Sequence, residues 1–246
     1  MKENKKKTAV IATTIVAALV ISGVIITIVT LSSIRKKAFD YTSRDIGETI
    51  IFGEYDIDKD GKDKEEMEWI ILDKEDDKIL VVSKYAVAEK SYHTNSAEID
   101  WSDCSLRKWL NDDFYNECFS QEDQEKIIKS NLINDDYSVR DPNTAEFKDG
   151  GSPTEDFVFA LSKTEAEEYL DILAKNRMKV PLKCYISKEY NSPEYGWSWL
   201  RGPGTNTKSA AYFADGPKGN VFIGENGKGV GDQTVLVRPA IWISIK

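Results

Sequence analysis

One stretch near the C-terminus carries residues whose types and spacing suit recognition chemistry. In Trp197-Ser198-Trp199-Leu200-Arg201 the period of a strand puts Trp197, Trp199 and Arg201 on one face and Ser198 and Leu200 on the other. Aromatic faces beside a guanidinium suit sugar rings or cationic groups, through CH–π contact and hydrogen bonds. Strand residues of this kind also serve as core, and Arg201 and Arg238 could each neutralise a buried carboxylate or lock neighbouring loops by bidentate bonds. The loops expected at 202–209, 214–219 and 224–233 hold Asn206, Asp215, Lys218, Asn220, Glu225, Asn226, Lys228 and Asp232. Polar loops on a rigid sheet are where binding commonly sits. The expected ligand-binding set is therefore Trp197, Trp199, Arg201, Asn206, Asp215, Asn220, Asn226 and Asp232.

A second stretch, Asp56-x-Asp58-x-Asp60-Gly61, copies the start of a calcium loop, where alternate oxygen ligands and a glycine turn wrap a hard cation. Its second half departs from that pattern. Asp63 stands at the apolar place, Met67 stands where the bidentate Glu belongs, and Glu65 and Glu66 are misplaced. The stretch reads better as a solvated hairpin tip. No metal or cofactor is expected, with calcium at Asp56, Asp58 and Asp60 as the weaker alternative.

Catalytic groups are sparse. His93 is the one imidazole, and Ser91 lies too close in sequence to imply a triad with it. Asp112-Asp113 and Glu65-Glu66 are adjacent, so their carboxylates point apart. One His and three Cys are too few for a zinc ribbon or a haem-attachment motif. The expectation is that the protein is not an enzyme. Cys104 and Cys118 are 14 residues apart; a straight helix would separate them by about 20 Å, so a disulfide requires the chain to turn back. An odd cysteine count outside the cell leaves a free thiol, and Cys104, Cys118 and Cys184 are read as small buried apolar groups.

The elements that hold these residues follow an N-terminal apolar run. Thr8–Ile34 is 27 residues without an ionisable side chain, longer than the about 20 residues that cross a hydrocarbon core. It exceeds a signal-peptide core and lacks a cleavage site after it. Lys2, Lys5, Lys6 and Lys7 precede the run and Arg35, Lys36 and Lys37 follow it, which by a small margin places the N-terminus inside. The expected organisation is a cytoplasmic tail (1–7), a transmembrane helix (8–34), a juxtamembrane stalk (35–48) and one extracellular domain (49–246). Beyond residue 37 the chain has 26 basic and 41 acidic side chains, a formal charge of -15. Such a surface disfavours nucleic acid and anionic wall polymers.

Within the outer domain Thr49–Tyr55, Met67–Asp73 and Lys78–Lys84 read as strands, the first two a hairpin across the acidic loop. Leu106, Trp109, Leu110 and Phe114 share a helical face, capped by Ser102 or Asp103. Ser120 with Asp123, and Ser162 with Glu165, have capping-box spacing and start two further helices. The first would run into Ile127 and Ile128; the second would bury Ala166, Tyr169, Leu170 and Leu173. Residues 134–155 should be an exposed loop. Short strands are expected at 197–201, 210–214, 221–224, 235–237 and 241–245. Antiparallel strands, helices and a final block of strands make an α+β class.

Trp199-Leu200-Arg201-Gly202-Pro203-Gly204 and Val237-Arg238-Pro239-Ala240-Ile241-Trp242-Ile243, together with Ile51-Phe52-Gly53-Glu54-Tyr55, Glu68-Trp69-Ile70-Ile71-Leu72-Asp73, Ser83-Lys84-Tyr85 and Ser105-Leu106-Arg107-Lys108-Trp109-Leu110-Asn111-Asp112-Asp113-Phe114-Tyr115, resemble a bacterial family of unknown function over about 46–246. The closing pattern is also similar to the last strands of C-type-lectin-like domains, which implies that fold by analogy. That fold also houses formylglycine-generating enzymes, whose chemistry requires an active-site cysteine pair. Residues 185–246 contain neither Cys nor His. The expected function is a membrane-anchored surface module that binds a glycan, a cell-wall component or a protein. The alternatives are a structural or sensory ectodomain paired with a membrane protein, and an enzyme of the formylglycine-generating type.

Overall fold

The computed structural model describes residues 41–57, 61, 63–138, 147–181, 196–216 and 220–246. The expected tail and membrane helix, together with Asp58, Asp60, Cys184 and Lys218, lie outside the described residues. Among the described residues no helix is long and apolar enough to cross a membrane. The chain divides into two compact units, Met1–Ser43 and Arg44–Lys246. A single 3-10 turn, Tyr41–Ser43, is described in the first.

The second unit is a mixed α+β structure with mostly antiparallel sheets and few helices. β1 (Thr49–Tyr55) and β2 (Glu65–Lys74) form the expected hairpin, with Ile50 opposite Trp69 and a register shift between Ile51 and Glu54. Gly53 lies in that shift at φ +74°, where an added Cβ would fall 2.8 Å from Phe119 Cδ1 and 2.9 Å from the Cys118 carbonyl oxygen. Glycine meets both the left-handed backbone and the close approach. β3 (Lys78–Ser83), β14 (Ala240–Ser244) and β5 (Ile127–Ile128) complete the sheet in the order β1-β2-β3-β14-β5.

The second sheet runs β12 (Val221–Gly229), β11 (Ser209–Asp215), β10 (Gly196–Pro203), β13 (Leu236–Val237) and β4 (Ala88–Glu89). Its pairs are antiparallel except β10 with β13, where Ser198 faces Leu236. Small ribbons join β6 (Ser130–Leu132) to β9 (Thr154–Asp156) and β7 (Tyr137–Ser138) to β8 (Phe147–Lys148).

Arg238-Pro239 carries the chain from β13 in one sheet to β14 in the other. Proline has no N–H to lose from a ladder, and here its carbonyl accepts the Ser83 N–H at 2.8 Å. Arg238, 4% exposed, donates from Nε to the Ser83 carbonyl and from Nη2 to the Asn176 carbonyl, both at 2.9 Å. The core lies between the sheets, where Val82 of β3 and Leu200 and Phe213 of β10 and β11 line one small void with Leu161, Ala166 and Leu173.

Helix α1 (Ser105–Trp109) passes through a π-helical turn (Leu110–Phe114) into α2 (Tyr115–Cys118), burying Leu106, Leu110 and Phe114 as the spacing predicts. Its cap is Cys104, whose Sγ accepts the Arg107 N–H at 3.3 Å, in place of Ser102 or Asp103. The Ser120/Asp123 capping box forms, but α3 (Gln121–Gln124) is one turn long. Ile127 and Ile128 pair instead with Ile243 and Trp242 as β5, because two β-branched apolar residues gain more from the open edge of a buried sheet than from a polar helix. The Ser162/Glu165 box starts α4 (Lys163–Glu168), followed by α5 (Leu170–Lys175). Ala166 and Leu173 are buried, while Tyr169 and Leu170 are half-buried. The expected exposed loop at 134–155 ends in β9, which buries Thr154 and Asp156.

Candidate functional site

The strand pairing of β10, β11 and β12 assembles an aromatic surface row by row. Trp197 lies opposite Ala214, and Ala214 opposite Phe222; Trp199 lies opposite Tyr212, and Tyr212 opposite Gly224. Directly opposed residues of antiparallel strands share a face, so Trp197, Trp199, Tyr212 and Phe222 project together, away from Ser198, Leu200 and Phe213, which face the core. The two rows then diverge.

Trp199 is covered. It is 1% exposed, donates from Nε1 to the Lys90 carbonyl at 2.7 Å, and meets Tyr92 edge-on at 5.5 Å. Tyr92 in turn contacts Trp101 and donates its hydroxyl to the Arg201 carbonyl at 2.7 Å. The opposite end stays open. Trp197 and Tyr212 are half-buried and Phe222 is 51% exposed, with Tyr212 and Phe222 edge-to-face at 6.2 Å. The Lys228 ammonium lies 4.0 Å from the Trp197 ring centroid and 5.6 Å from that of Tyr212.

Gly224 makes the platform geometry achievable. A Cβ there would fall 2.1 Å from Tyr212 Cζ, far inside van der Waals contact, so the tyrosine ring packs directly against the β12 backbone. The flanking loops meet beside it: Thr205 donates its N–H to the Asn226 carbonyl at 3.2 Å, and Asp232 pairs with Lys228 at 3.9 Å. Asn206, Asn220 and Asn226 are exposed and Asp232 is half-buried. The stretch expected as a loop from 224 is strand to Gly229.

Three of the expected ligand contacts are corrected by burial. Trp199, Arg201 and Asp215 are 1%, 2% and 0% exposed and belong to the interior. Arg201 grips Glu165 through both terminal nitrogens at 3.0 Å and donates to the Ala160 and Ile133 carbonyls at 2.8 and 3.2 Å. Asp215 faces Arg177 at 3.6 Å; burial pushes its carboxyl up, against the pull of Arg238 and Arg177. A strict two-residue period puts Trp199 beside Trp197 but says nothing of the 90–101 segment that covers it.

The signature helix serves the scaffold as well. Arg107 Nε donates to Asp156 Oδ1 at 2.6 Å, and the other Asp156 oxygen accepts Trp101 Nε1 and the Thr154 hydroxyl, both at 2.9 Å. Asn111 accepts from the Phe157 and Val158 N–H groups and donates to the Arg107 and Val158 carbonyls, which saturates its amide. These groups border a cleft of about 440 Å³, with their polar atoms already engaged. Arg107, Asn111 and Asp156 are the structural residues that sequence spacing missed.

His93 Nδ1 accepts the Ser105 N–H at 3.2 Å, which ties the imidazole to the start of α1. Cys104 and Cys118 are free and buried; burial pushes the Cys104 thiol up to about 12 and raises that of Cys118 as well. Asp56 closes its turn by accepting the Gly61 N–H at 3.0 Å. Among the described residues no group of three or more His, Cys, Asp or Glu is placed to hold a metal ion.

No curated protein and no solved structure matches the chain. Residues 76–245, which span the signature helix, the Arg238-Pro239 crossing and the whole platform, match the domain of unknown function DUF6273. The chain belongs to the DUF6273 family.

Proposed function

We propose that the protein is a membrane-anchored recognition module whose outer domain binds an extracellular or cell-wall glycan on the platform of Trp197, Tyr212 and Phe222. The observation that carries this reading is the 51% exposure of Phe222 beside two half-buried aromatic rings on one rigid sheet face. An exposed ring flanked by two half-buried ones offers apolar surface to the C–H groups of a pyranose, and burying such surface is favourable at about 25 cal/mol per Å². Lys228, Asn206, Asn226 and Asp232 supply polar contacts at the rim. The arrangement has the concave-free, aromatic character of a surface that binds a chain rather than enclosing a small molecule.

The C-type-lectin-like fold remains an analogy, supported by the two-sheet layout and the closing Trp-x-Leu-Arg and Arg-Pro-Ala segments. The anchor rests on the uncharged run at 8–34, and a cytoplasmic N-terminus on the basic residues that flank it. A non-catalytic role is favoured over the formylglycine-generating type because 185–246 lacks Cys and His. Screening the full chain against glycans and wall fragments, with calcium and with chelator, tests the reading. Binding that Trp197→Ala weakens supports it; binding of a stoichiometric membrane protein with no glycan bound favours the ectodomain alternative.

A further inference from the structure

An ammonium group already sits on the aromatic platform. Lys228 Nζ lies 4.0 Å from the Trp197 ring centroid and 5.6 Å from that of Tyr212. Strand pairing sends it there: Lys228 stands opposite Ala210, two residues from Tyr212, and so shares the face of that ring. Between these two rows β11 has the single residue Ala211 and β12 has 225–227, a bulge that keeps Lys228 beside the rings despite its distance in sequence from Gly224.

A carboxylate stands next to the ammonium. Asp232 Oδ1 accepts the Thr234 N–H at 2.9 Å and the Thr234 hydroxyl at 2.8 Å, which fixes the side chain and leaves Oδ2 toward Lys228 at 3.9 Å. That separation is too long for a hydrogen bond. The ammonium therefore rests on the ring faces, with Asp232 as a second seat within reach. The Lys228 and Asp232 side chains are 25% and 31% exposed, so solvent and solutes reach both.

Two other uses of Lys228 fit less well. As the anchor for an acidic sugar it would need free charge, but the rings and Asp232 share that charge, and the formal charge of -15 beyond residue 37 repels anions. As a strap between β12 and β10 it is redundant, because both strands are already paired along β11. An aromatic face that attracts one ammonium attracts another, and the negative domain draws cations toward it.

We infer that the platform takes a glycan bearing protonated amino groups, an unacetylated hexosamine polymer, and that Lys228 is its built-in stand-in. The sugar ammonium replaces that of Lys228 over Trp197 and Tyr212, Lys228 moves onto Asp232, and Phe222 meets the C–H face of the sugar. This inference rests on the glycan reading above and names the class of glycan.

Binding of the full chain to a glucosamine oligomer and to the same oligomer N-acetylated, at mildly acidic pH where the free amines are protonated, tests it. A preference for the free amine of at least about tenfold is expected. Lys228→Gln keeps a polar group at the rim and removes the competing ammonium, and should tighten binding of the free-amine oligomer about fivefold. Tyr212→Ala should abolish the preference, with melting curves of both variants compared with the parent; if Tyr212→Ala melts early, Lys228→Gln decides alone. Equal binding of the two oligomers, or silence toward both while another glycan binds, overturns the inference and leaves the glycan reading standing. Silence toward every glycan overturns both. Weaker binding by Lys228→Gln makes the lysine a direct contact, and a preference that folded Tyr212→Ala retains belongs to the acidic surface as a whole; either result overturns the inference.

Discussion

Glu165 receives two hydrogen bonds from Arg201, at 3.0 Å each, while one of the same carboxylate oxygens accepts the Ser162 N–H at 2.8 Å. A single side chain thus closes the capping box of α4 and pins that helix to the strand that carries the aromatic platform. Arg201 is the fully buried member of the pair, with its head also bound to two carbonyls from other segments. Arg201→Lys loses the planar fork and should cost about 2–3 kcal/mol, and Arg201→Ala about 3–5 kcal/mol. Denaturant midpoints at constant m-value check this; a loss under 1 kcal/mol for the alanine variant would show the grip to be incidental.

Asn111 makes a comparable prediction for the signature helix. Its four bonds leave no spare donor or acceptor. Asn111→Asp keeps the shape but turns the donating amide into an acceptor facing the Arg107 and Val158 carbonyls. We expect a loss of about 2–4 kcal/mol, with Asn111→Ala losing less or equally, since an acceptor forced against carbonyls is worse than a void.

Much of this scaffold was legible in the chain and some was not. β1 matches its expected span residue for residue, and both capping boxes form at Ser120 and Ser162, because turn chemistry and short-range periodicity are local signals. Ile127 and Ile128 went from helix to strand because their partners Ile243 and Trp242 are over a hundred residues away. Of the period-two face of Trp197, Trp199 and Arg201, the strand pairing carries the first two, and a register shift begins after Trp199. The division of that face into an open end and a covered end depends on Tyr92 and Trp101, which no spacing rule connects to it. Asp215 was expected in a polar loop; its place as the last residue of β11 turns it inward to Arg177. Arg201 and Arg238 do the locking that their chemistry suggested.

The buried thiols give a pH dependence with a definite sign. Burial raises Cys104 to about 12 and also raises Cys118 and Tyr92, so the folded state holds these protons more tightly than the unfolded chain. A folded pKa above the unfolded value means that stability is full below the unfolded thiol pKa of about 8.5 and falls as pH rises from there toward the folded value. Each buried thiol should contribute a loss of about 1.4 kcal/mol per pH unit above about pH 9. Cys104→Ser keeps the cap and should remove one thiol's share of that slope. In a Cys184→Ser background Ellman's reagent should find neither remaining thiol at pH 8 until denaturant is added.

Gly224→Ala tests the platform's construction. The new Cβ meets the Tyr212 ring, so either the ring lifts from β12 or the strand shifts, at about 1–3 kcal/mol. Tyr212 fluorescence quenching and ligand affinity should change together in this variant. In Gly229→Ala, where nothing lies within 4 Å of the added Cβ, both should stay as in the parent.

Phe222→Ala is the most direct test, because a ring that is half exposed adds little to folding and much to a stacking surface. The measurement is binding of the full chain and its Phe222→Ala variant to an immobilised panel of glycans and cell-wall fragments, with melting curves in parallel. The predicted result is saturable binding to at least one glycan class by the parent, weakened at least about tenfold in the variant, with melting unchanged. Equal binding by both proteins, or a silent panel with folded parent protein, would contradict glycan recognition on this face.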